Sequence, residues 1–145
     1  MLTHMWYKRI MRHPILHSMA WIGTTGLGAL ALIAAQRPSA LAGVSGGLWE
    51  ISSSAGGANA TRLCLPDPAA LAQYEHRSAR CSQMIITDSP SEAVVDYDCA
   101  ASGFGRTKMT VITPRSMRVE TQGISDQAPF HYTLQVRRVG NCPPR

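Results

Sequence analysis

The chain has 145 residues, of which 16% are charged and 6% aromatic, with 14 Lys and Arg against nine Asp and Glu for a formal net charge of +5. Four of the basic residues, Lys8, Arg9, Arg12 and Arg37, precede Gly43 and no acidic residue does, so from Gly43 on ten basic side chains meet nine acidic ones. The basicity belongs to the N-terminal segment, which removes the main support for a nucleic-acid-binding function.

That segment has the layout of a secretory signal peptide. Lys8, Arg9 and Arg12 form a basic region, residues 20–35 are an uncharged apolar run, and Ala40-Leu41-Ala42 places small residues at −3 and −1 of a cut after Ala42. Residues 1–42 are thus expected to be removed on export, with Met11 as a second possible start, and residues 43–145 to form one domain. The competing reading is a retained membrane anchor, since the uncharged stretch 14–36 is long enough to span a bilayer. No cysteine lies near the cut, which argues against a lipid-anchored form. The remaining 103 residues suffice for one domain with a modest core. All four cysteines fall there, and an even count in a small exported domain reads as a disulfide framework made in an oxidising compartment, most simply a bacterial periplasm.

In chain order, residues 48–54 alternate with Trp49 and Ile51 on one side, predicting a first strand with Trp49 in the core. A turn at Ala55-Gly56-Gly57-Ala58-Asn59 leads to a second strand over 60–65, whose inward face is ambiguous between Leu63 with Leu65 and Cys64. Asp67 then offers an N-cap and Pro68 a first helical position for a short helix over 69–74, followed by a polar connector over 75–80. Runs rich in β-branched and aromatic residues at 81–87 and 93–99 flank Asp88-Ser89-Pro90-Ser91-Glu92, a hairpin signal. Folding about Pro90 sets Cys81 opposite Cys99, Ile85 opposite Val95 and Ile86 opposite Val94.

Three more strand partners follow. Centring the next turn on Ser102 faces Asp98 with Arg106, Asp96 with Lys108, Tyr97 with Thr107 and Val95 with Met109. Centring on Arg115 pairs Val111 with Val119 and Met109 with Thr121; pairing Ser125 with Phe130 sets Val119 against Val136 and Thr121 against Leu134. One inward apolar face survives every turn. The expected fold is mainly all-β, a single antiparallel meander of about seven strands with one short helix, either barrel-like or a strongly curved open sheet.

Four cysteines allow three connectivities. The hairpin symmetry favours Cys81 with Cys99, leaving Cys64 with Cys142; the main competitor is Cys64–Cys81 with Cys99–Cys142.

The order Gly47-Leu48-Trp49-Glu50 after a signal peptide, then Cys64-Leu65, Cys81, Tyr97-Asp98-Cys99 and Gly140-Asn141-Cys142, resembles the family of small exported bacterial proteins catalogued as domain of unknown function 3617. The resemblance covers essentially the whole chain from Gly43 on. It implies an exported, cysteine-bridged domain without an established activity. Many members carry a Met-rich loop after the first strand; here that place is Ala55-Gly56-Gly57-Ala58, which gives no support to a soft-metal site.

No catalytic constellation stands out. His76 and His131 are the only histidines after Gly43, lack metal-ligand spacing and read as surface residues, and there is no G-x-S-x-G elbow. Asp96 and Asp98 share a strand face and are the one candidate acid/base or cation pair, although cross-strand ion pairs with Lys108 and Arg106 explain them as well. Gly103-Phe104-Gly105 reads as a turn, with Phe104 closing one end of the core. Arg106, Lys108, Arg115 and Arg118 are interspersed with Asp96, Asp98 and Glu120, a mixed solvated face.

The expected function is that of a non-enzymatic periplasmic binding or interaction module without catalytic residues, cofactor or metal. Its partner is an unidentified ligand or protein, not nucleic acid, and it meets the membrane only through the signal peptide. A closed barrel with an apolar lumen would favour a small molecule or lipid, and a filled core with an exposed edge a protein. The rivals are a hydrolase-type enzyme using Asp96 and Asp98, with both carboxylates converging in a concave pocket, and a membrane-anchored domain.

Overall fold

The computed structural model describes residues 36–144. The apolar run 20–35 and the basic residues before it lie outside the described residues. Seven antiparallel strands form one sheet: β1 (Gly47–Ser52), β2 (Thr61–Leu65), β3 (Ser82–Asp88), β4 (Glu92–Asp98), β5 (Gly103–Thr113), β6 (Ser116–Ser125) and β7 (Ala128–Gly140). Their spatial order is β2-β1-β7-β6-β5-β4-β3. The last five strands are a meander; the first hairpin attaches to its far side through β1 and β7. The sheet is open, with β2 and β3 as its edges.

One face of this sheet is the core. Trp49 and Ile51 of β1 enter it, and pairing of Trp49 with Leu63 and of Gly47 with Leu65 turns both leucines inward and Cys64 outward. Ala93 and Val95, Met109, Val119 and Met117, and Leu134 and Val136 continue the same face across β4 to β7. The short helix is a 3-10 helix, Pro68–Gln73, with Asp67 Oδ1 accepting from the Ala69 N–H at 3.0 Å and Pro68 in the first turn. It packs against β4, β5 and β6 and buries Leu71 and Ala72. A second 3-10 turn, Ser39–Leu41, packs against β4 and β5, so the packed unit takes in residues upstream of Gly43. The core is filled by these two covers. Trp49 is fully buried, and its Nε1 is the one buried side-chain polar atom without a partner among the described residues.

Register departs from expectation in a regular way. Ile85 pairs with Val95 as the turn at Pro90 requires, but a bulge at Ile86 sets Thr87, not Ile86, against Val94. The next three hairpins are each tighter than expected: Asp96 pairs with Arg106, Val95 with Thr107, Met109 with Val119, Val111 with Met117, Val119 with Leu134 and Thr121 with Tyr132. Each is a two-residue slip, which changes partners but not faces because side chains alternate with period two. Lys108 consequently lies opposite Val94 and forms its ion pair with Glu92, at 3.0 Å, rather than with Asp96.

Two disulfides are present, Cys64–Cys142 and Cys81–Cys99, with Cα–Cα distances of 5.3 and 4.1 Å. The first staples edge strand β2 to the residues after β7, across β1. The second ties the start of edge strand β3 to the end of β4. Such bonds persist in an oxidising environment.

His76 is not a surface residue. It is 5% exposed and sits where the connector after the short helix crosses the end of the sheet. Its Nε2 lies 2.8 Å from the Ser102 carbonyl, which only accepts, so Nε2 donates there, and Nδ1 lies within hydrogen-bond reach of the Tyr97 hydroxyl at 3.3 Å. Beside it the Tyr132 hydroxyl donates to Glu75 Oε2 at 2.8 Å. Burial, then this bond to Glu75, pushes the Tyr132 phenol up, and burial likewise raises Tyr97. A polar seal thus closes this end of the core, a place the sequence reading gave to Phe104.

Candidate binding groove

Phe104 instead stands on the opposite, outer face, 54% exposed. The register explains its company. Successive strand pairings line up Ser82, Asp98, Phe104, Ile124 and Pro129 in one cross-strand row. The neighbouring row is Met84, Asp96, Arg106, Gln122 and His131. Side chains of paired residues on one face are neighbours, so the two rows make one surface. All of these residues but Pro129 line a groove of about 880 Å³. Gly105 and Gly123, paired with each other between β5 and β6, line it with bare backbone. A Cβ on Gly105 would meet the Tyr97 ring, which lies against it from the core side, and one on Gly123 would strike the Phe104 carbonyl. Glycine is needed at both positions for the strands and the tyrosine to approach.

The groove has an apolar part and a fixed ion pair. Met84, 62% exposed, Phe104 and Ile124 supply thioether, aromatic and aliphatic surface. Arg106 binds Asp96 with two nitrogens, Nε to Oδ1 at 2.5 Å and Nη2 to Oδ2 at 2.6 Å. This bidentate bond holds the Asp96 carboxyl below its ordinary range against a smaller opposing effect of desolvation. Farther along the same outer face the rows turn ionic: Lys108 with Glu92, Arg118 with Glu120, and Glu50 between Arg62 and Arg137.

Asp96 and Asp98 both line the groove but are engaged separately. Asp98 Oδ1 accepts from the Ala100 N–H at 2.7 Å, at the start of the 3-10 turn Ala100–Ser102. The two carboxylates thus have separate partners, the Arg106 guanidinium for Asp96 and the Ala100 N–H for Asp98. Among the described residues no three His, Cys, Asp or Glu side chains come together as a metal site requires. His131 does reach the groove, while His76 is held in the polar seal.

The apolar half of the groove was not singled out from the sequence. The signal was there in Met84-Ile85-Ile86: an apolar run without alternation gives a strand apolar on both faces, so one apolar face has no core to enter. Met84 and Ile86 are the exposed result, on an edge strand.

No curated protein and no solved structure matches the chain. The model of a family described as protein of unknown function, DUF3617, matches residues 40–142, which takes in all seven strands and all four cysteines, and the chain belongs to that family.

Proposed function

We propose that the domain is a non-enzymatic, exported interaction module that binds a protein partner along edge strand β3 and the adjoining groove. The observation that carries this reading is the coincidence of an unpaired strand edge with exposed apolar side chains. Among the described residues β3 pairs only with β4, and Met84, Ile86 and Phe104 stand exposed beside it. A free edge offers backbone donors and acceptors to an extended peptide, and the groove offers apolar surface to that peptide's side chains. An open sheet favours a protein over a lipid or small molecule held in a lumen. Two disulfides suit the domain to an oxidising compartment, as does the leader-like N-terminus.

A hydrolase working through Asp96 and Asp98 receives no support, because each carboxylate already has its own partner. The test is site-specific photocrosslinking in the native cell, with the photoreactive residue at position 84 and, as control, at position 118 on the ionic part of the same face. A discrete protein adduct from position 84 and none from position 118 is expected. No adduct at 84, or the same adducts at both, sinks the reading.

A further inference from the structure

Residues 37–42 occupy two roles that exclude each other. Arg37 Nη2 donates to the Val44 carbonyl at 2.6 Å, and its guanidinium lies 3.6 Å from Asp67. The Ser39 N–H and hydroxyl both donate to Asp88 Oδ1, at 2.8 and 2.7 Å. Between these anchors the turn Ser39–Leu41 lies in the same core cluster as Leu71, Val95 and Met109, with Leu41 at 0% exposed and Ala40 at 4%. The same Ala40-Leu41-Ala42 supplies the small residues of the expected cut. Leu41 cannot both leave with the leader and stay in the core.

We propose that residues 37–42 are a leader-borne plug, and that cleavage after Ala42 opens a leucine-sized apolar site which then takes a peptide of the plug's own chemistry, an aliphatic side chain beside hydrogen-bond donors and a cation. The proposal rests on the reading that the chain is exported and cut there. An apolar cavity left by a departing leucine destabilises its surroundings and is regained by an apolar occupant. The rim sets the rest of the specificity. Once Arg37 and Ser39 go, Asp67 loses its ion partner while keeping the Ala69 N–H, and Asp88 Oδ1 loses both Ser39 donors. Two carboxylates at the rim favour a basic, donor-rich segment and disfavour an acidic one. Asp88 is also the last residue of β3, so the plug holds one end of the edge strand until it leaves.

The test expresses the full-length gene in a host that exports it and takes the intact mass of the product. That product is then titrated calorimetrically with the peptide of residues 36–42. A chain starting at Gly43, binding this peptide one to one and binding its Leu41→Ala version at least about tenfold more weakly, is expected. Ala42→Gln removes the small residue at −1 and so blocks the cut, and Ala42 is exposed in a helical backbone conformation that glutamine adopts, so the uncut product should fold, keep the plug and leave the peptide unbound. An exported product that still contains Leu41 overturns the proposal. So does equal binding of both peptides, equal binding by the cut product and Ala42→Gln, or no binding to the cut product at about 1 mM peptide. Crosslinking from position 84 in the same exported product separates the two ideas. An adduct there without peptide binding removes the plug and leaves the edge-strand reading standing, whereas a chain that is not exported removes both.

Discussion

Arg106 holds Asp96 through both carboxylate oxygens, across neighbouring strands and in the middle of the groove. This one pair fixes the charge pattern any partner meets there: an arginine already committed, and a carboxylate that stays ionised to low pH.

The first prediction follows from that ionisation. The Asp96 carboxyl is held below the ordinary aspartate range in the folded chain, chiefly by the hydrogen bond from Arg106. A carboxylate depressed by folding adds stability above its unfolded pKa, and the contribution fades as pH falls through the depressed value. Asp96→Asn should therefore cost a little stability near neutral pH and nothing below the depressed pKa, so the two unfolding curves converge on acidification. The gap is small because the pair is surface-exposed, and added salt should narrow it further. Urea melts at several pH values check this; a gap that widens in acid is the contrary result.

The second concerns the bridges. They span sequence separations of 18 and 78 residues, and removal of the Cys81–Cys99 bond by paired Ala substitution should cost about 3 kcal/mol, against about 4.5 for Cys64–Cys142. Equilibrium denaturation of the two double variants measures the order. Peptide mapping without reductant should recover these two links; a peptide joining Cys64 to Cys81 would require a different register for the central hairpin.

The third tests a buried hydroxyl pair. Thr107 and Thr121 face each other across β5 and β6, both buried, with Oγ1 atoms 2.7 Å apart. Thr121→Val strands the Thr107 hydroxyl and should cost about 1–3 kcal/mol, whereas Val at both positions should recover most of that loss. A cycle in which the double variant is as costly as the sum of the singles would refute the pairing.

The fourth separates groove from core. Phe104→Ser removes an exposed side chain, so stability should change by no more than about 0.5 kcal/mol while the adduct from position 84 disappears. Loss of folding would return Phe104 to the core-closing role assigned from sequence.

How much of this was legible can be read from particular residues. Strand positions and the inward face were, because a two-residue slip leaves parity intact: Val95, Met109, Val119 and Val136 are buried under either set of partners. Partners were not legible, since turn length at Ser102, Arg115 and Asp126-Gln127 decides them and local sequence allows more than one. Asp126 and Gln127 both adopt positive φ, 47° and 65°, in a two-residue turn that neither residue type advertises as strongly as Asn-Gly would. The bulge at Ile86 is equally silent in the sequence, and it is what separates Ile86 from Val94. His76 was misjudged because its partners, Tyr97 and the Ser102 carbonyl, are brought to it only by tertiary packing. The groove was half visible: its charged members Asp96 and Arg106 stood out, while Phe104 and Ile124 became neighbours only through the cross-strand register.

The attachment of β1 to β7 bears on how the chain is made. A polypeptide is synthesised from its N-terminus, so the hairpin carrying Trp49 emerges first and its main partner strand emerges last. Until β7 arrives, Leu48 and Glu50 have no Gly140 or Arg137 to pair with, and Cys64 has no Cys142. The nascent domain must therefore carry an unpaired, tryptophan-bearing hairpin through most of its synthesis, a window in which proteolysis or self-association competes with folding. Stalling the chain before Ala128 should leave that hairpin cleavable by a protease that the finished domain resists.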